Sequence, residues 1–182
     1  MKIIVAVTGA SGAIYARRTL QQLIACKEVE QIALIVSCRG EQVARHEEQE
    51  FPCDAKIVRF DNDDMFASVA SGSAAWDAMI VVPASMGSVA RIASGISQTL
   101  IERAADVMLK ERRKLITVVR EAPYSLIHLR NMTTLTEAGA IILSASPSFY
   151  SHPKSIEQAV DTVVERIISL VGINAERYIW QG

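Results

Sequence analysis

The residues of this chain best suited to chemistry are small and hydroxylated, and they stand where apolar runs stop. Thr8-Gly9-Ala10-Ser11-Gly12-Ala13 follows the run Lys2-Ile3-Ile4-Val5-Ala6-Val7 and opens an amphipathic segment. Such a strand–loop–helix unit turns backbone N–H groups into one concavity and adds the positive end of a helix dipole, which suits a phosphate. Gly9 and Gly12 fall short of the six-residue dinucleotide fingerprint, and no phosphate-loop Lys-Ser/Thr follows. The loop therefore predicts either a nucleotide or phosphorylated ligand, or a plain tight turn. Ser37, Ser85 and Ser88 sit after other apolar runs. Like Ser11, each can donate to a phosphate or a ribityl chain without crowding it, although each singly also reads as a helix cap.

Arg120-Glu121 follows Leu115-Ile116-Thr117-Val118-Val119 and precedes Pro123. An Arg in that place is a ready anion clamp, and a Glu beside it can exchange protons with a leaving group; a structural salt bridge is the competing reading. Ile101-Glu102-Arg103-Ala104-Ala105-Asp106 leads with helical period to Lys110-Glu111-Arg112-Arg113, whose end reads as a solvated, charge-paired helix face. His46, His128 and His152 lack metal spacing and no His/Cys/acid cluster exists elsewhere, so no metal is expected. His128 falls in a helical stretch and is expected to pack there. No Gly-x-Ser-x-Gly nucleophile turn is present.

These residues need strands and helices to carry them. Strand-like stretches run over 2–8, 31–37, 56–60, 77–83, 114–120 and 140–144, and helix-like stretches over 11–25, 40–49, 85–93, 99–112, 124–138 and 155–171. This alternation predicts one α/β domain over residues 1–182, a three-layer sandwich around a parallel sheet with right-handed crossovers. Ligands of such sheets bind beyond the carboxyl ends of the strands, where the hydroxyl residues and Arg120-Glu121 fall. Residues 61–75 carry little periodicity and are expected to loop over the site. The tail Arg177-Tyr178-Ile179-Trp180-Gln181-Gly182 is aromatic enough to dock on its own or a neighbouring subunit.

Bulk composition narrows the partners. Lys and Arg (19) nearly balance Asp and Glu (20), which argues against nucleic acid and anionic membranes. Half the residues are apolar but only 5% are aromatic, as suits a sheet covered on both faces. The mean hydropathy of +0.22 points to buried subunit contacts. No apolar run approaches the roughly 20 residues of a membrane span, and Lys2 enters a strand-like run without a leader pattern. Cys26, Cys38 and Cys53 are odd in number, so a cytoplasmic location is expected.

Taken together, several segments resemble the UbiX-type flavin prenyltransferases, formerly described as aromatic-acid decarboxylase partner proteins. The resemblance spans essentially the whole chain. It is carried by Thr8-Gly9-Ala10-Ser11-Gly12-Ala13, Ala70-Ser71-Gly72-Ser73, Arg103-Ala104-Ala105-Asp106-Val107, Leu109-Lys110-Glu111-Arg112-Arg113, Arg120-Glu121-Ala122-Pro123, Ile127-His128-Leu129 and Phe149-Tyr150-x-His152-Pro153. It implies a flavodoxin-like fold and a homo-oligomer, usually a dodecamer, with FMN sites between subunits. The implied reaction joins a dimethylallyl group from dimethylallyl monophosphate to N5 and C6 of reduced FMN, without a metal. The product serves UbiD-type decarboxylases, as in ubiquinone biosynthesis.

By matching position, the resemblance implies FMN contacts at Gly9, Ala10, Ser11, Ser37, Ser85, Met86, Gly87, Ser88 and Arg120. Tyr150 and Arg166 would grip the prenyl phosphate, with Lys110 and Arg120 adding charge and Ser71 joining them. Glu121 would be the proton-handling acid, in a catalytic set with Lys110, Ser11 and Glu47. Read from its residues alone, Arg166 is only an exposed helix charge. Two departures stand out: residues 64–67 lack a Trp that some members carry, and Ala84 replaces a common Cys. Competing readings are a non-catalytic FMN accessory protein and the flavin-dependent cysteine decarboxylases. Pro83-Ala84-Ser85 matches a motif of the decarboxylases, but their Pro-x-Met-Asn element is missing. A nicotinamide oxidoreductase lacks both the fingerprint and the ribose-binding acid.

Overall fold

The computed structural model describes residues 1–173; the aromatic tail from Arg177 lies outside them. Six strands are present among the described residues: β1 (Lys2–Val7), β2 (Gln31–Val36), β3 (Ile57–Phe60), β4 (Ala78–Ala84), β5 (Lys114–Val119) and β6 (Ile141–Ser144). They form one sheet in the order β3-β2-β1-β4-β5-β6, every pairing parallel. This is the doubly wound order. Without the short edge strand β3 it is the five-strand flavodoxin order, so the expected fold class holds. The chain reverses direction across the sheet between β1 and β4, which places the switch point, and a crevice, above those two strands.

The helices are α1 (Ala13–Ala25), α2 (Cys38–His46), α3 (Met86–Ala93), α4 (Leu100–Lys110), α5 (Leu126–Glu137) and α6 (Ile156–Val171). Alternate strand residues feed two cores, as the two-residue strand period requires. Ile3, Val5, Val7, Leu34, Ile80 and Val118 pack under α1 and α6, while Ile4, Ala6, Ile35, Met79, Val81 and Leu115 pack under α3 and α4. Arg18 of α1 forks onto Asp161 of α6, with Nε donating to Oδ1 at 2.8 Å, and so pins the two helices together.

The carboxyl ends of β1 and β4 are tied to the start of α3. Pro83 has no N–H to give the sheet, and the β4–β5 register shifts between Val81 and Ala84. Beyond that shift Thr8 Oγ1 donates to Pro83 O (2.8 Å) and accepts from Ser85 N (2.8 Å), strapping the end of β1 to the start of α3. Residues 61–75 depart from the expected loop over the site. Only their start stays at that end of the sheet. The remainder folds into two 3-10 turns (Ser68–Ala70 and Gly72–Ala74), and Val69 and Trp76 bury against α4 and its core. His128 does not pack in a core either; its Nδ1 accepts from Ser125 N at 3.2 Å and caps α5.

Candidate active site

A cavity of about 490 Å³ opens above the carboxyl ends of β1, β2, β4 and β5. Each wall comes from a strand end. Thr8 and Gly9 form the β1 wall, and a Cβ on Gly9 would lie 2.6 Å from Arg39 Cβ, so only glycine permits this approach. On the β2 side Ser37 caps α2, its Oγ accepting from Gly40 N at 3.0 Å. On the β4 side Ser85 caps α3 by accepting from Ser88 N (3.3 Å), and the Ser85 and Ser88 hydroxyls lie 3.1 Å apart. Met86 and Gly87 complete that wall, and Glu121 closes the β5 side. Ser37 and Ser85 are thus helix caps and cavity lining at once.

The Gly-rich loop behaves differently from the sequence expectation. Two amides at the N-terminus of α1 are already taken, because the Glu47 carboxylate accepts from Gly12 N (2.9 and 3.0 Å) and Ala13 N (2.7 Å). Gly12 stands at φ +109°, the left-handed region, where glycine is favoured. Ala10 N donates to Thr8 O (2.9 Å) in a tight turn, and the Ser11 carbonyl accepts from Arg120 Nε at 3.0 Å. Arg120 therefore ties the β5 end to the β1 loop beside Glu121, whose Oε1 accepts from Ala122 N at 3.1 Å.

Ser71, Lys110, Tyr150 and Arg166 are not among the residues that line this cavity. Lys110 closes α4, whose first turn lines the cavity; 11 helical residues carry it about 15 Å away. There it pairs with Glu111, near the 70–73 loop that Arg103 and Arg113 hold by donating to Ala70 O (3.1 Å) and Gly72 O (2.9 Å). Arg113 is thus tied to that loop rather than merely solvated, and Glu111 pairs with Lys110 and Arg113. Ser71 sits in the same loop with its hydroxyl 2.9 Å from that of Ser73. Tyr150 follows β6 and is 67% exposed, and Arg166 is exposed on α6.

Sequence reasoning missed the outer wall. Asn62 holds the start of α4, its carbonyl accepting from Leu100 N (2.7 Å) and its Oδ1 from Ile101 N (3.1 Å). Thr99 and Glu102 form a capping box, a signature readable as Thr-x-x-Glu. Glu102 is 2% exposed yet accepts from Gln98 N (2.9 Å), Thr99 N (3.1 Å) and Arg91 Nε. Burial opposes its charge, but Arg91 and the two amides outweigh burial and hold the carboxyl below the ordinary carboxylate range. Arg91 lines the cavity as well.

A crevice at a doubly wound switch point, rimmed by hydroxyls, helix N-termini and arginines, defines a nucleotide-binding α/β protein. The family described as Flavoprotein matches residues 1–171. The flavin prenyltransferase UbiX of Methanocaldococcus jannaschii is 42% identical over 180 residues, covering 96% of this chain and 95% of its own. A dodecameric FMN-dependent UbiX-like decarboxylase from Escherichia coli O157:H7 superposes with a TM-score of 0.91 at 37% identity, covering all of both chains. AnUbiX (PadA1), solved with FMN and dimethylallyl pyrophosphate, gives a TM-score of 0.89 at 40% identity over 100% of this chain and 98% of its own. The chain belongs to the flavoprotein family and, within it, to the flavin prenyltransferases. Among the described residues no helix is long and apolar enough to cross a membrane, and no group of three or more His, Cys, Asp or Glu could hold a metal.

Proposed function

We propose that this protein prenylates reduced FMN with dimethylallyl monophosphate and passes the product to a UbiD-type decarboxylase in the cytoplasm. The observation that carries the reading is Glu121 in a hydroxyl-lined cavity at the switch point of a chain this similar to flavin prenyltransferases. The cavity fits the flavin. Its volume lies in the range of small-molecule sites, its hydroxyls match a ribityl chain, and the first turn of α3 offers amides to a phosphate. When bound, reduced FMN supplies the electron-rich N5 and C6 to which the prenyl carbons attach.

Gly9, Ala10, Ser37 and the Ser85–Ser88 turn hold the flavin in this reading, with Arg120 and Ser11 fixing the loop above it. Breaking the allylic C–O bond sends its electron pair to the phosphate, so cations there lower the barrier. Arg120 stands within reach of Glu121's side of the cavity, and Glu121 moves the proton that phosphate departure and later ring closure require. Glu47 works from the α1 N-terminus, where it keeps the loop in place.

Ser71, Lys110, Tyr150 and Arg166 complete the site from neighbouring subunits. The distance of Lys110 from its own cavity supports this assignment, as do the exposed apolar residues Leu126, Ile127, Leu129, Phe149 and Ile156. The dodecameric state of the E. coli relative makes a dodecamer the expected assembly.

The test is anaerobic: protein, reduced FMN and dimethylallyl monophosphate or pyrophosphate are mixed, and the extracted flavin is weighed by mass spectrometry. Gain of one five-carbon unit from the monophosphate, absent without protein, supports the reading. Unmodified flavin, with binding and reduction verified, overturns it in favour of an accessory role.

A further inference from the structure

We propose that Arg91, aimed by the buried Glu102, is the residue that recognises the phosphate of FMN and makes the site selective for the nucleotide over riboflavin. The inference rests on the functional reading above and assigns an atom-level role to a residue outside its expected set.

Arg91 lies three residues beyond Ser88, on the same face of α3. Its side chain runs back over the first turn of that helix. A Cβ on Gly87 would sit 3.5 Å from Arg91 Nη1, and Nη2 reaches Ser88 Oγ at 3.5 Å. The guanidinium thus lies at the first turn of α3, where Met86 and Gly87 line the cavity and their amides have no carbonyl partner inside the helix. Glu102 fixes this pose. Its carboxylate, held by the amides of Gln98 and Thr99, takes Arg91 Nε and so directs the terminal nitrogens toward Ser88 and the first turn of α3. An arginine braced on one edge presents its other N–H groups in a fixed fork, the arrangement that suits phosphate oxygens.

The opposite end of the crevice argues for the same polarity. The α1 N-terminal amides are already taken by Glu47, and Glu121 lines the β5 side beside Arg120, so that end suits the prenyl phosphate that Glu121 serves rather than a second dianion. At α3 a dianion meets a helix N-terminus, two serine hydroxyls and Arg91. Arg39 also lines the cavity and, like Arg91, is exposed, but no carboxylate among the described residues pairs with it, and it serves as the comparison.

The experiment measures FMN and riboflavin affinity by flavin fluorescence quenching for the wild type, Arg91→Ala, Arg91→Lys, Glu102→Gln and Arg39→Ala. Arg91→Ala is expected to weaken FMN binding about 10–100-fold while leaving riboflavin binding within about twofold. Arg91→Lys and Glu102→Gln should fall between wild type and Arg91→Ala, because the first keeps charge without the fork and the second loosens the brace. In turnover, Arg91→Ala should raise the KM for FMN and leave kcat at saturating FMN unchanged. Equal losses for FMN and riboflavin, unchanged FMN affinity, or a larger FMN-specific loss in Arg39→Ala would each overturn the inference while the functional reading stands. A wild-type protein that binds no FMN would overturn both. If Arg91→Ala does not fold, the same comparison is read from Arg91→Lys.

Discussion

At the residue scale two carboxylates have opposite assignments. Glu121 lies in the cavity with one oxygen on its neighbour's amide, and the proposed function assigns it the proton transfer. Replacing it with Gln keeps shape and removes proton transfer, so FMN affinity should persist while prenylation slows by about 10²–10⁴-fold in a single-turnover assay. Glu102 is structural, and its folded carboxyl titrates below the ordinary range. A depressed carboxyl contributes stability that is fully present above its unfolded pKa of about 4.3 and is lost as pH falls through the lower folded value. Urea titrations of the wild type and Glu102→Gln between pH 3 and 7 should therefore converge at the acid end. At neutral pH the variant should be less stable by about 1–2 kcal/mol. Glu121 was legible in the sequence because it follows a strand. Arg91 was not, because its meaning depends on Glu102, reached only after the chain turns between α3 and α4.

At the element scale the site is held by straps between strand ends. Thr8 joins β1 to α3, Arg120 joins β5 to the β1 loop, and Glu47 returns from the end of α2 to cap α1. The Glu47 bonds predict that Glu47→Ala destabilises the protein by about 0.5–2 kcal/mol in denaturant, through an uncapped α1. Gly9→Ala forces a Cβ to 2.6 Å from Arg39 Cβ, so FMN affinity should drop as the cavity wall shifts. A crystal structure of that variant with an unmoved α2 would refute the close-approach argument. Strands and most helices match their sequence expectation within about two residues, since period and caps are local. Residues 61–75 did not, because the packing of Val69 and Trp76 against α4 is a long-range contact with no local period.

At the scale of the whole molecule the proposed function divides the site between subunits. Lys110 and Ser71 lie at the far end of α4 from the cavity that Glu121 lines. Mixing an inactive Glu121→Gln protein with an inactive Lys110→Ala protein, under conditions that exchange subunits, should therefore restore part of the activity. No restoration after verified exchange would mean that each chain works alone. The exposed apolar first turn of α5 predicts that Ile127→Glu shrinks the assembly in light scattering and lowers activity with it.

Amphipathic period and strand-end chemistry determined, from the sequence alone, a parallel sheet covered on both faces and an expected ligand site at its carboxyl edge; the order of the strands came from the structure. Those signals reside in neighbouring residues and survive without knowledge of the fold. Only the tertiary structure decided which helix N-terminus is left positive. The Gly-rich loop carries the stronger local signal, yet a carboxylate from the end of α2 occupies its amides, while α3 keeps its own beside a braced arginine. Charge in a site is a sum over elements that the chain brings together from far apart, and no local pattern records that sum.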